Sequence, residues 1–183
     1  MIERNLSFQT FYSSREESNS PLIPEIIRIG KKLEQINLSE KIGLLLVSLR
    51  YGKRIIINSD YKKISEIKRN DIIEIIDYDP VKNNLLIIGP KQPKNYSPLH
   101  WMIHHARKEV NVIVQLNGEK ILKNINTKIP KTKDDLKPGS FEMIKEVLKN
   151  LRNSKTILIE NQGILFVGEN LKDVENQINN IFK

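Results

Sequence analysis

Between residues 41 and 89 the chain carries apolar, β-branched runs separated by short polar breaks. "KIGLLLVSLR" and "KRIIINS" flank Tyr51–Gly52, and "DIIEIIDYD" and "NNLLIIG" flank "PVKNN". Each run has the length of a strand, and breaks this short close hairpins. The segment therefore predicts a mostly antiparallel β block, and this limits the fold more than any other feature.

Helical periodicity appears on both sides of that block. Pro24 suits the first turn of a helix. Ile26, Ile29, Gly30, Leu33 and Ile36 follow at helical spacing, with the end near Asn37. Pro98 opens "PLHWMIHHARKE", which predicts a helix with Leu99, Met102, Ile103 and Ala106 on one face. "VNVIVQLNG" returns to strand character. Ser140, preceded by Gly139, is a candidate N-cap. Phe141, Ile144, Val147, Leu148 and Leu151 then mark an amphipathic helix. "KTILIE" and "GILFVG" read as strands. A final helix carries Leu171, Val174, Ile178 and Ile181 on one stripe. This order predicts an α/β fold with a mixed, largely antiparallel central sheet covered by helices. Residues 1–22 are polar and aperiodic and read as an N-terminal arm. Residues 23–183 read as one domain, a size that suits a single sizeable core.

Composition narrows the function classes. The chain has 183 residues, 39% hydrophobic and 28% charged, and no cysteine. Disulfides, thiolate metal sites and cysteine nucleophiles are excluded. No apolar run approaches the ~20 residues that span a bilayer, and no secretory signal opens the chain. These features fit a cytoplasmic protein. The net charge is +8, but Lys31, Lys32, Lys62, Lys63, Lys128, Lys131 and Lys133 are scattered. Aromatics are 6% and do not interleave with them as a base-stacking surface would. The plain reading is a solvated basic surface; the alternative is polyanion binding.

The 3 histidines are His100, His104 and His105. His100 and His104 stand four apart on the predicted helix, so they share a face. Such a pair can hold a metal if a third ligand comes from elsewhere. The plainer reading is a pair of ordinary surface or helix–sheet contacts. No HExxH, GxGxxG, GxxxxGK[ST] or GxSxG pattern is present. One further stretch, "ENQGILFVG" from Glu160, raises its own question. It reads as strand, tight turn at Gly163, and strand, with a bare carboxamide, Gln162, at the bend.

The order of elements and their local sequences resemble the class II aldolase/adducin family. "HWMIHHARKEVNVIVQLNG", "IPKTKDDLKPGSFEMIKEVLKN" and "TILIENQGILFVGENLKDVENQI" follow its pattern of a glutamate-bearing helix, "rpdvnavvHtH", a Gly-Ser helix start and "vlLenHGvlvvG". Upstream, Leu45 to Arg50 falls on "GNiSvR", and "RIIINSD" on "rilItPsG". The resemblance covers roughly residues 25–183.

That resemblance implies a site. In the family, the histidines of "HtH" and "nHG" bind zinc or another divalent metal, which stabilises an enediolate as a carbon–carbon bond breaks. A glutamate on the preceding helix acts as acid/base. Here the ligand positions fall on Gln115, Asn117 and Gln162, and the acid/base position falls on His100. An amide oxygen is a weak, hard donor compared with imidazole. Three such exchanges imply loss of zinc, so no cofactor is expected. The family's phosphate-binding positions fall on Leu46, on the turn Asn58–Ser59–Asp60–Tyr61, and on Pro98–Leu99. Only Ser48, Asn58 and Ser59 keep polar groups there, and Asp60 would repel a phosphate.

The expectation is a non-catalytic family member acting as a binding or assembly module, with the scaffold kept and the metal chemistry gone. One alternative is an aldolase-type lyase on a small phosphorylated sugar, with a rebuilt site using His100. The other is the basic, polyanion-binding protein. By resemblance the chain forms a homo-oligomer, a tetramer, or assembles with a paralogue.

Overall fold

The computed structural model describes residues 7–35, 44–59, 66–118, 125, 128–133 and 136–182. The expected helix end near Asn37, the turn at Asp60–Tyr61, and Lys62 and Lys63 lie outside these residues.

The elements follow in the order β1 (Gln9–Ser14), α1 (Ile23–Gln35), β2 (Leu44–Tyr51), β3 (Arg54–Asn58), β4 (Ile72–Asp79), β5 (Asn84–Ile88), α2 (Ser97–Ala106), β6 (Val112–Asn117), α3 (Phe141–Asn150), β7 (Thr156–Ile159), β8 (Gly163–Gly168) and α4 (Leu171–Phe182). The strands form one 8-stranded sheet in the order β1-β5-β4-β3-β2-β6-β8-β7. Every neighbouring pair is antiparallel except β1 with β5, which is parallel.

Helices cover both faces of the central strands. α1 and α4 bury Ile23, Ile26, Ile29, Leu33, Val174 and Ile178 against one face. α2 and α3 bury Leu99, Ile103, Met143, Ile144 and Val147 against the other. A strand covered on both sides needs apolar residues at successive positions, not alternate ones. That is why β8 and the first half of β2 read as continuous apolar runs, and all six residues of β6 are buried, Gln115 and Asn117 included. The period of two still sorts their side chains. On β2, Leu45, Val47 and Leu49 face α1 and α4, while Leu44 and Leu46 face α2 and α3. Ser48 falls on the α2 side by the same alternation. On β6, Val112, Val114 and Leu116 face α1 and α4, which places Gln115 and Asn117 on the α2 side.

The polar lead-in contributes β1, which its sequence does not announce. Gln9 N donates to Asn83 O at 3.0 Å, and the Asn83 carboxamide donates to Ser7 O. Further on, Ser18 Oγ donates to Glu74 Oε2 at 2.9 Å, and Arg54 pairs with the same carboxylate at 2.7 Å. Ser140 caps α3 as expected, its Oγ accepting from Met143 N at 3.2 Å. Phe141 departs from the expected buried stripe and is 57% exposed.

Candidate functional site

α2 begins with Pro98 in its first turn, packs over β3 and β4, and reaches β2 and β6 through its side chains. Its buried face differs from the expected one. Leu99 and Ile103 are buried, but so are His100 and His104, both with no exposed surface. Met102 is half-buried and Ala106 exposed. Two imidazoles thus occupy core positions against the sheet, where each polar nitrogen must find a partner.

Those partners form a continuous string. His104 Nδ1 donates to Val110 O at 3.1 Å. Ser48 Oγ lies 2.9 Å from His104 Nε2 and 2.7 Å from His100 Nδ1. His100 Nε2 lies 3.1 Å from the Gln115 carboxamide, which lies 2.9 Å from that of Asn117. Ser48, His100, His104 and Gln115 are fully buried, and Asn117 is 8% exposed. Burial disfavours the imidazolium and lowers the His100 pKa to about 4, against a raising effect from Gln115. His104 is lowered to about 3, again by burial first, with nearby His100, Arg50 and His105 adding to it. Both rings are therefore neutral at neutral pH.

Arg50, on the strand that supplies Ser48, holds the far end of α2. Its Nη2 donates to His104 O, to Arg107 O at 3.0 Å and to Val110 O at 2.7 Å. Its Nε reaches Val110 O and the Asn111 side chain, each at 3.1 Å. A guanidinium thus satisfies carbonyls that the helix end leaves open, at its negative pole. Sequence reasoning missed this role, as it missed Val110. His105 takes no part in the string: its ring lies on Trp101, centroids 3.6 Å apart, and its Nδ1 donates to Trp101 O at 2.9 Å.

The structure joins Gln115, Asn117 and His100, which lie apart in sequence. Gln162 stands at the neighbouring turn. Its Nε2 donates to Leu136 O at 2.6 Å and its Oε1 accepts from Tyr96 Oη. Among the described residues no hydrogen bond joins it to Gln115 or Asn117. The bend itself is at Asn161, with φ 58°, rather than at Gly163, which already belongs to β8. Gly163 is needed for another reason: a Cβ there would stand 2.2 Å from Leu116 O and 2.5 Å from Asn117 Oδ1.

The positions matched to phosphate binding are also turned inward. Leu46 is a core residue. Asn58 Oδ1 accepts from Val47 N at 2.7 Å and its Nδ2 donates to Leu45 O at 2.8 Å, so it extends the β2–β3 ladder. Ser59 donates from N to Asp71 O at 2.7 Å and from Oγ to the same oxygen at 2.9 Å. A broad groove between α2 and α3, lined by Met102, Phe141, Ile144 and Leu148, includes none of these residues.

The zinc implied by the resemblance does not fit this donor set. Gln115, Asn117 and Gln162 offer only neutral amides, and each amide is already bonded within the protein. Among the described residues no group of three or more histidine, cysteine, aspartate or glutamate side chains is placed to hold a metal ion. Structural zinc sites draw roughly 10–16 kcal/mol from thiolate and imidazole donors, and hard neutral oxygens do not replace those.

Comparison with known proteins agrees with the fold. No curated protein sequence matches the chain. Among solved structures, an L-fuculose 1-phosphate aldolase superposes with a TM-score of 0.70 at 19% identity, covering 89% of this chain and 82% of that one. A sugar-phosphate aldolase from Thermotoga maritima gives 0.70 at 16% identity, covering 86% and 89%. The N-terminal class II aldolase domain of a Thermoplasma acidophilum protein gives 0.63 at 14%, covering 92% and 93%. The profile of the family described as "Class II Aldolase and Adducin N-terminal domain" matches residues 25–181. With almost its whole length matched, the chain belongs to the class II aldolase and adducin N-terminal domain family.

Proposed function

We infer that this chain is a non-catalytic member of its family, a binding or assembly module built on an aldolase scaffold. One observation carries the reading: Gln115 and Asn117, at two of the positions matched to metal ligands, are bonded to each other and to His100 in a buried string. Their polar capacity is used in holding the core. The same reading has the protein working in the cytoplasm, in an oligomer of its own copies or with a catalytically active paralogue. Among the described residues no helix is long and apolar enough to cross a membrane, which agrees with a protein that works off the bilayer.

The alternative, a lyase that uses His100 as its base, is weakened by the same geometry. His100 has no exposed surface, and a pKa of about 4 makes it a weak base. Elemental analysis of freshly purified protein, with aldol-cleavage assays on a panel of sugar phosphates including L-fuculose 1-phosphate, tests the reading. Sub-stoichiometric metal and no cleavage are expected. Stoichiometric zinc with turnover would overturn it.

A further inference from the structure

We propose that Val110, His104, Ser48, His100, Gln115 and Asn117 form one hydrogen-bond string with a single proton order. Both imidazoles carry their hydrogen on Nδ1, and each carboxamide turns its NH2 toward the neighbour on the His100 side.

The order follows from counting hydrogens, starting at the end that has no choice. A backbone carbonyl only accepts. The 3.1 Å contact to Val110 O therefore fixes the His104 hydrogen on Nδ1. In a neutral ring this leaves Nε2 bare, an acceptor 2.9 Å from Ser48 Oγ. Ser48 has one hydrogen, and it must go there. Its oxygen is then the acceptor for its other contact, so His100 Nδ1, 2.7 Å away, must donate. His100 is now bare at Nε2, and 3.1 Å beyond stands the Gln115 carboxamide. Only its NH2 end satisfies that nitrogen. Gln115 Oε1 then faces Asn117 at the 2.9 Å contact, and Asn117 must present its own NH2.

The structure places the amides the other way round, with Gln115 Oε1 3.1 Å from His100 Nε2 and Gln115 Nε2 2.9 Å from Asn117 Oδ1, an orientation that needs a hydrogen on His100 Nε2. If His100 is neutral, its Nδ1 is then bare, and two bare nitrogens compete for the one Ser48 hydrogen. If His100 is doubly protonated, a full charge sits in the core, and no carboxylate is among the string's partners. Either costs more than a half turn of two carboxamides, whose ends have nearly the same shape. Ser48 is thus a positioning residue: through its single hydroxyl it sets which nitrogen of His100 is bare.

The consequence deepens the non-catalytic reading, on which its functional meaning rests. The bare nitrogen of His100 is occupied by Gln115, and the oxygen of Gln115 by Asn117. The one lone pair of the bare His100 nitrogen is thus taken, and Gln115 spends a hydrogen-bonding site on each neighbour in the string.

Long-range proton–nitrogen correlation spectra of the whole chain, labelled with 15N-histidine, read the tautomers directly at neutral pH. A His105→Gln variant removes the third ring for assignment. The expected result is hydrogen on Nδ1 and a bare Nε2 for both His100 and His104. In Ser48→Ala, His104 keeps this pattern while His100 gains population with hydrogen on Nε2. Ser48→Thr, which keeps the hydroxyl, restores the parent pattern. Hydrogen on His100 Nε2 in the parent protein, in either the neutral or the doubly protonated ring, would overturn the proposal without need of any variant. Resident zinc with the tautomer order intact would overturn the non-catalytic reading alone, so the two failures are distinguishable.

Discussion

Ser48 Oγ and His100 Nδ1 stand 2.7 Å apart, a bond that ties β2 to α2 in the middle of the core. The hydroxyl also serves His104 at 2.9 Å. Removing it strips partners from two buried imidazoles at once, and each orphaned polar atom costs about 1–3 kcal/mol. Ser48→Ala is therefore expected to destabilise the fold by roughly 2–4 kcal/mol, a loss far larger than the methylene-scale effects of most core changes of that size. Urea unfolding followed by circular dichroism measures it. A change of a few tenths of a kcal/mol would show that the hydroxyl is not the junction described.

Arg50 is expected to resist conservative replacement. Its fork reaches the carbonyls of His104, Arg107 and Val110 and the side chain of Asn111. A lysine keeps the charge but has one compact ammonium and no fork. Arg50→Lys should cost about 1–3 kcal/mol, because carbonyls at the helix end lose a donor. Hydrogen exchange should quicken first at the amides of Arg107 and Val110, which bond within this loop. Parent-like exchange there would show that the helix end is held by something else.

The two buried histidines set an acid limit on stability. Their folded pKa values, about 4 for His100 and about 3 for His104, lie below the ordinary value near 6.5 that the unfolded chain shows. Between those values the unfolded state binds more protons, so stability rises with pH. The contribution is complete above about pH 6.5 and is lost as pH falls toward the folded values. Unfolding midpoints measured from pH 7 to 4 should fall, and a His104→Gln variant should fall less steeply over that range. Equal slopes for parent and variant would mean that the His104 ring is not buried neutral.

Two glycines, Gly52 in a turn and Gly163 at the start of β8, separate strain from clash. Gly52, with φ +62°, has nothing within 4 Å of a built Cβ, so Gly52→Ala meets only the left-handed backbone penalty of about 1–2 kcal/mol. At Gly163 the same methyl would meet Leu116 O at 2.2 Å and Asn117 Cα at 2.7 Å. Both are backbone atoms of the paired strand and cannot move aside without opening the β6–β8 ladder. Gly163→Ala is thus expected to be the more damaging change, by at least ~1 kcal/mol. Thermal unfolding of the two variants side by side decides it, and the opposite ranking would contradict the close approach.

The main elements could be read from the sequence because their signals are local. The apolar runs of β2 to β5 and the Ser140 cap each state their structure within a few residues, and the hairpin expected at Tyr51–Gly52 forms one residue later, at Gly52–Lys53, with Tyr51 still paired in β2. β1 was not legible, because "QTFYSS" is held by its partner β5 and by the Asn83 turn, not by an apolar face of its own. The α2 stripe misled for a related reason. Hydropathy favours Met102 and Ala106 over His100 and His104, but the buried choice depends on Ser48, Gln115 and Val110 reaching them across the sheet. The site positions themselves were reached by resemblance; that Gln115 bonds to Asn117, and Gln162 to Tyr96 and Leu136 instead, depends on how distant segments meet in space. Tyr96 and Leu136, which hold Gln162, had no signal in the sequence at all.

If the scaffold is intact and only the donors have changed, returning the donors should return the metal. Gln115 and Asn117 share a face of β6, and Asn117 is paired with Gly163 directly after Gln162. Imidazoles at 115 and 117 would stand on β6 and one at 162 in the turn just before β8, with the nitrogen donors that zinc favours. The triple variant Gln115→His, Asn117→His, Gln162→His is expected to take up zinc in equilibrium dialysis. The Gln162→His single variant and the parent are expected to take up none, because one imidazole among amides is too poor a donor set. The triple change also breaks the string at Gln115, so the folded fraction is measured first by circular dichroism. A folded triple variant that ignores zinc would show that the strand register no longer frames a metal site.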